Sequence, residues 1–261
     1  MVIDFHTHIF PEALAARVLP LLSQSGGGAP YFTDGTARGL RVSMERNGID
    51  KSVFLQIATK ASQTPTVNGY AIDQNSADLI AFGSVHPEYP QWREELDRLA
   101  AAGVRGIKLH PEYQTFTVDD ERMRPIYEYA IAKGLIILFH AGLDIGFPGG
   151  ENAIPERFLA MRDTLKHGTV ILAHGGGWKR WDDVEALLCG TEFYFDTSFC
   201  DGFLDAAHAR RIIARHGAER ILFASDSPWE DQAASLAFIR NLGLSVKDTA
   251  AILGENAQRI L

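Results

Sequence analysis

The sequence predicts a (β/α)8 barrel, the TIM-barrel class of α/β folds, and three observations predict it. Short apolar runs alternate with helical segments about eight times along 261 residues. Ile, Val, Leu and Phe dominate those runs, the composition of parallel strands buried on both faces. No G-x-G-x-x-G motif follows a strand, so the usual mark of an open, doubly wound sheet is missing. Hydrophobic residues make up 46% of the chain, enough for one barrel core. No internal repeat, low-complexity tract or linker divides it, and residues 1–261 read as one domain.

The elements follow in order. Val2–His8 is the first strand, and it ends in His6-Thr7-His8. Strand alternation puts Asp4, His6 and His8 on one face. A long connection follows, containing Ser25-Gly26-Gly27-Gly28-Ala29-Pro30. In a barrel this stretch, around residues 20–40, lies over the active face, either as a lid or as a plain surface loop. The next strands are Ser52–Ala58, Ile80–His86, Gly106–His110, Leu135–His140, Thr169–His174, Glu192–Phe199 and Arg220–Ser225. Between them, Gln91–Ala102 is a helix with Trp92, Leu96 and Leu99 on one face and Gly103 as its stop. Asp119 caps a helix running to about Lys133. Pro155–Lys166, Trp181–Cys189 and Leu204–His216 are helices that end near glycines, and a last one starts after Ser245.

A net charge of -8 argues against a general grip on nucleic acid and gives no reason to expect an anionic membrane surface as partner. Cys189 and Cys200 form no C-x-x-C, and the default expectation is a reduced, cytoplasmic setting. No basic and apolar leader and no apolar run of roughly 18 to 20 residues is present.

The chemistry sits at the strand ends. His6 and His8 end strand 1, Lys108 and His110 end strand 4, His140 ends strand 5, His174 ends strand 6, and Asp226 follows strand 8. Barrel active sites are built at the C-terminal ends of strands, so one rim collects all of them. Imidazoles and a carboxylate suit zinc and similar divalent ions. An ion with an open position lowers the pKa of its bound water towards about 7.

This ordered set resembles the amidohydrolase superfamily, and its local words resemble the amidohydrolase-related branch of metal-dependent hydrolases and decarboxylases. The words are Ile3-Asp4-Phe5-His6-Thr7-His8, Gly106-Ile107-Lys108-Leu109-His110-Pro111, Ala173-His174-Gly175-Gly176-Gly177, Ser225-Asp226-Ser227-Pro228-Trp229 and Gly254-Glu255-Asn256-Ala257. The resemblance implies one divalent metal ion held by His6, His8, His140 and Asp226, with zinc first and manganese second. It implies that His174 is an acid/base imidazole beside the metal and that Asp226 also takes up a proton. The branch does not usually use its strand-4 lysine as a bridge between two metals, which favours one ion. Two ions, with Lys108 and His174 drawn into the metal shell, are the other reading.

Further residues carry weaker expectations. Lys108 has two readings, an ion pair with Asp4 or a contact to substrate. His110 and Glu112 line the rim. His86 closes strand 3, and His167, His208 and His216 read as surface or helix-end residues. Phe147, Trp178, Trp181 and Trp229 lie in loops at the mouth, where they pack the loops or stack on substrate. Lys179 and Arg180 either attract a carboxylate or form solvated charge pairs. The substrate-binding candidates are thus Lys108, His110 and Trp178.

Three functions remain. The main expectation is a metal-dependent hydrolase using metal-activated water on a small amide, ester or lactone of a carboxylic acid. The alternative is a non-oxidative decarboxylase, a carbon–carbon lyase, of an unsaturated or aromatic acid at the same metal. A barrel that senses metal or metabolite is third, and it would not need both His174 and Asp226. TatD-type deoxyribonucleases share the His-x-His start but place a glutamate on strand 4, which this chain lacks. The expected partner is a small molecule, with a homodimer as one expected assembly.

Overall fold

The structure is a computed structural model that describes residues 1–261. Eight parallel strands form one sheet in chain order: β1 (Ile3–Thr7), β2 (Lys51–Leu55), β3 (Leu79–Gly83), β4 (Gly106–Leu109), β5 (Ile136–Phe139), β6 (Val170–Leu172), β7 (Tyr194–Asp196) and β8 (Ile221–Leu222). The first and last strands meet as well. Phe5 N donates to Phe223 O at 2.9 Å and Asp226 N to His6 O at 2.8 Å, which closes the sheet into a barrel. The closure lays the end of β8 against the end of β1, so Asp226 arrives beside His6. No helix is long and apolar enough to cross a membrane.

Alternation along the strands sorts two cores. Val53, Leu55, Phe82, Leu138, Ile171 and Leu222 belong to the cluster inside the barrel, together with Ile3 and Phe5. A larger cluster, with Phe54, Ile107, Leu109, Phe139 and Phe195, lies between strands and helices. In β1 the register shifts between Asp4 and Thr7. This bulge breaks the period of two, so Phe5 packs in the interior while His6, next in sequence, reaches the cavity above it. A uniform Asp4–His6–His8 face is therefore not what forms.

The helices are α1 (Glu12–Ser25), α2 (Ala37–Asn47), α3 (Thr64–Gln74), α4 (Trp92–Ala101), α5 (Arg124–Ala132), α6 (Pro155–Ala160), α7 (Arg162–Leu165), α8 (Trp181–Asp183), α9 (Ala206–His216), α10 (Gln232–Asn241), α11 (Val246–Ala250) and α12 (Asn256–Ile260). The connection around residues 20–40 is not a featureless loop. It is the end of α1, a turn through Gly27 and Gly28 at φ 71° and 85°, and the start of α2. Thr36 caps α2 by accepting from Gly39 N at 3.0 Å, and Gly48 ends it in the left-handed conformation. The helix assigned to Asp119 starts instead at Arg124, with Pro125 in its first turn. Asp119 pairs with Arg157 at 2.7 Å.

The terminal Gly254-Glu255-Asn256 belongs to the bottom of the barrel. A Cβ on Gly254 would lie 2.2 Å from Met1 O. Asn256 Nδ2 donates to Ala218 O and Ile221 O, both at 2.7 Å. That segment shapes the fold at the end opposite the strand-end residues.

Candidate active site

A cavity of about 530 Å³ opens at the C-terminal ends of the strands. His6, His8, Lys108, His110, His140, His174 and Asp226 all line it, as does Trp178. The single rim expected from the strand ends is therefore real.

Three of these residues converge. His6 Nε2 and His8 Nε2 are 3.2 Å apart, and each is 3.2 Å from Asp226 Oδ1. The other ring nitrogens show why. His6 Nδ1 donates to Asp196 Oδ2 at 2.8 Å, and His8 Nδ1 donates to Leu55 O at 3.1 Å. Those bonds assign the protons to Nδ1 and leave both Nε2 lone pairs aimed at a carboxylate oxygen. Three acceptors facing one another repel unless a cation lies among them. Ligand atoms about 2.1 Å from one ion, at angles of roughly 90–110°, stand about 3.0–3.4 Å apart, so the spacing fits a divalent metal. Burial holds His6 well below its ordinary pKa, helped by the Lys108 charge and opposed by Asp226. A neutral imidazole is the form that ligates.

Asp226 is held as a carboxylate. Burial pushes its pKa up, but the surrounding imidazoles of His6, His8 and His174 outweigh it. Asp226 and His174 both have left-handed backbones, at φ 70° and 60°. Non-glycine residues rarely adopt this conformation, and such strain concentrates where side-chain aim matters.

His140 does not join the triangle. His140 Nε2 donates to Leu143 O at 3.1 Å, and His140 Nδ1 is 3.1 Å from His174 Nε2. His174 Nδ1 donates in turn to Ser198 O at 3.1 Å. With those donors assigned and both rings neutral, the two facing nitrogens carry lone pairs and no proton, so a proton taken up there would bridge them. The His140 ring also stacks on His110, with centroids 4.2 Å apart and planes within 12°. Asp144 Oδ2 lies 3.3 Å from His110 Nε2 and 3.6 Å from His140 Nε2. These three could be taken for a second metal cluster. Parallel rings, however, carry parallel in-plane lone pairs, which do not meet at one ion. His110 is pushed down to about 4, chiefly by burial, with Asp144 opposing.

Lys108 makes no ion pair with Asp4. Asp4 instead accepts from Ser225 N at 2.9 Å, Ser225 Oγ at 2.5 Å and Gln232 Nε2 at 2.7 Å. Lys108 Nζ sits 3.4 Å from His6 Nε2, at the edge of the triangle. Burial lowers its pKa to about 8, against the pull of Asp196, Asp226 and Asp144.

Other expectations sort cleanly. Trp178 and Trp229 line the cavity, whereas Trp181 donates from Nε1 to His174 O at 3.0 Å and Phe147 packs on Tyr113. Glu112 accepts from Asn152 N and Nδ2 and holds a loop. Arg180 pairs with Glu156 and Asp183, and Lys179 lies over the Trp178 ring at 4.4 Å. His216, read as a surface or helix-end residue, ends α9 and is buried.

Sequence reading missed Asp196 and Asp144. Asp196 ends β7 and, besides His6 Nδ1, accepts from His174 N and Ser198 N, both at 3.0 Å. It thereby orients two imidazoles. Its signal was the one used for the histidines, a polar residue closing an apolar run. Asp144 follows His140 by four residues in a loop and carried no such signal.

The fold resembles several solved structures. One is 5-carboxyvanillate decarboxylase from Sphingomonas paucimobilis, with a TM-score of 0.75 and 17% identity over 99% of this chain and 98% of that one. Another is a dihydroxybenzoic acid decarboxylase from Polaromonas sp. JS666 with bound manganese and the inhibitor 2-nitroresorcinol. It gives a TM-score of 0.68 and 17% identity over 99% of this chain and 96% of that one. A third, from Pseudomonas putida, has 2-pyrone-4,6-dicarboxylic acid hydrolase as its proposed identity, at a TM-score of 0.69 and 18% identity over 99% and 98%. A comparison with curated proteins finds no match. The amidohydrolase family model matches residues 3–261, and the chain therefore belongs to the amidohydrolase family.

Proposed function

We propose that this chain is a metal-dependent, non-oxidative decarboxylase of an unsaturated or aromatic acid. One observation carries the reading: a buried ammonium, Lys108 Nζ, stands 3.4 Å from a nitrogen of the His6–His8–Asp226 triangle at the floor of a largely apolar cavity. A cation beside a metal position suits an acid held by its carboxylate, the group that decarboxylation removes. The decarboxylases among similar solved structures support the same choice.

His6, His8 and Asp226 would hold a divalent ion; His140, expected as a fourth ligand, is turned to His174 instead. Nitrogen and oxygen donors suit manganese and zinc alike, and manganese is the ion bound in the Polaromonas protein. When bound, the ion would supply a Lewis acid that orients the acid's oxygens beside Lys108. Lys108 binds the carboxylate. Leu143, Phe199 and Trp229 flank the cavity and replace water around it. A proton taken up from water between His174 Nε2 and His140 Nδ1 is delivered to the carbon bearing the carboxylate. The bond to the carboxylate then breaks, its electron pair returns to the unsaturated system, and carbon dioxide leaves.

The test is turnover of carboxyl-labelled hydroxybenzoates by manganese-loaded protein, once in heavy water and once in oxygen-18 water. The expected result is labelled carbon dioxide, one deuterium on the product carbon and no oxygen-18 in the organic product. Hydrolysis of the methyl esters of these acids in oxygen-18 water, with label in the freed acid and no carbon dioxide from the acids themselves, would overturn the proposal.

A further inference from the structure

We infer that the acid taken by this site carries an apolar body longer than one ring, lying along α1, and only one anionic group. The inference rests on the decarboxylase reading for the identity of the head group, and on the cavity for everything else.

The cavity is too large for a one-ring acid. At about 30 Å³ per water it holds roughly 18 water molecules, whereas a hydroxybenzoic acid has only about ten non-hydrogen atoms. The surplus space is apolar. Leu14, Val18 and Leu22 recur every four residues on α1 and share one helix face that lines the cavity. Ala15 and Leu19, on the neighbouring face, are the buried residues of this helix. The cavity-facing three stay only partly buried, so the fold itself does not cover them. Val67 and Tyr70 of α3 also line the cavity, with the floor triangle at its base. An apolar face left open above a charged floor matches a ligand with a charged head and an apolar body.

Charge limits the head. Lys108 is the only lysine or arginine among the lining residues, and the acidic Asp144 shares the lining. A second carboxylate on the ligand would enter the apolar part without a cation, at a heavy desolvation cost.

The experiment is calorimetric titration of manganese-loaded protein with 2-hydroxybenzoate and its 4-alkyl homologues from methyl to hexyl. Each added methylene is expected to tighten binding about fourfold until the space is filled, at one ligand per chain. 4-Carboxy-2-hydroxybenzoate is expected to bind at least about tenfold more weakly than the 4-methyl acid. In Val18→Trp, the dependence on chain length should disappear. A flat or falling affinity along the series overturns the inference, and so does a dicarboxylate that binds as well as the monoacid. A dependence on chain length that survives in Val18→Trp overturns the placement along α1. Should that variant fail to fold, Leu22→Ala serves instead, with hexyl binding expected to fall at least about fivefold. Carbon dioxide release, measured on the same samples, separates the two proposals. Rising affinity without release upholds this inference and contradicts the decarboxylase reading. Release from the parent acid with flat affinity does the reverse, and failure of every acid to bind overturns both.

Discussion

His6 can face Asp226 with a bare nitrogen because Asp196 holds its other nitrogen at 2.8 Å. The same carboxylate receives the backbone N–H of His174, so one buried residue aims two imidazoles. Partners of this kind fix a ligand's tautomer and orientation, and losing them typically weakens metal binding about 10- to 100-fold. Asp196→Asn is expected to weaken manganese binding by that factor, measured by competition with a chelating dye. Unchanged affinity would show that β7 merely packs beside the site. At this level the sequence was partly legible. His6, His8 and Asp226 each follow an apolar run, and the structure brings them within 3.2 Å of one another. Partnerships were harder to read. Lys108 and Asp4 look like an ion pair when only facing direction is considered, but the β1 bulge gives Asp4 to Ser225 and Gln232. His140 was expected among the metal ligands, yet its ring contacts His174 and stacks on His110, a choice made by side-chain torsion rather than by spacing.

The strands of this chain were readable from composition because both of their faces are buried. The helices were readable where a stop glycine and an apolar stripe coincide, as in α4 before Gly103, or where a cap marks the start, as at Ser245 before α11. The region of α1 was missed because Pro20 interrupts its interior and its start has no side-chain cap. Its apolar residues are also divided between two faces, one for the fold and one for the cavity. Helix α9 shows a different limit. His216 looks like a basic residue in a last turn, but it is stacked on Phe195 with ring centroids 3.8 Å apart. It donates from Nε2 to Phe193 O at 2.8 Å and accepts from Gly190 N at 3.2 Å, which requires a neutral ring. Burial pushes its pKa down to about 4. The folded state thus binds this proton less readily than the unfolded chain, whose histidine titrates near 6.5. The contribution is complete above pH about 6.5 and is lost as pH falls towards 4. At pH 5 the linkage amounts to about 2 kcal/mol. His216→Gln keeps one donor and one acceptor without the titration. Between pH 7 and pH 5, wild type is expected to lose about 2 kcal/mol more stability than this variant in urea unfolding. Equal losses would contradict the buried, neutral assignment.

Across the molecule, the division of labour is that of its fold class. The end of the barrel with Gly254 and Asn256 is closed by backbone contact and buried hydrogen bonds, while the opposite end gathers the ionisable groups. The eightfold alternation of strands and helices made this architecture legible, and strand order 1 to 8 followed from it. The choice of chemistry was less legible, because hydrolysis and decarboxylation draw on the same residues. It turns on the space and charge around them, which only the folded loops and α1 define. Underlying both is the claim that His6, His8 and Asp226 hold a divalent ion. Elemental analysis of purified protein after manganese reconstitution, with His6→Ala beside it, tests that claim most directly. The account predicts about one equivalent of metal in wild type, by the count of converging donors, and little in the variant. No metal in wild type, or metal retained equally in His6→Ala, would contradict it.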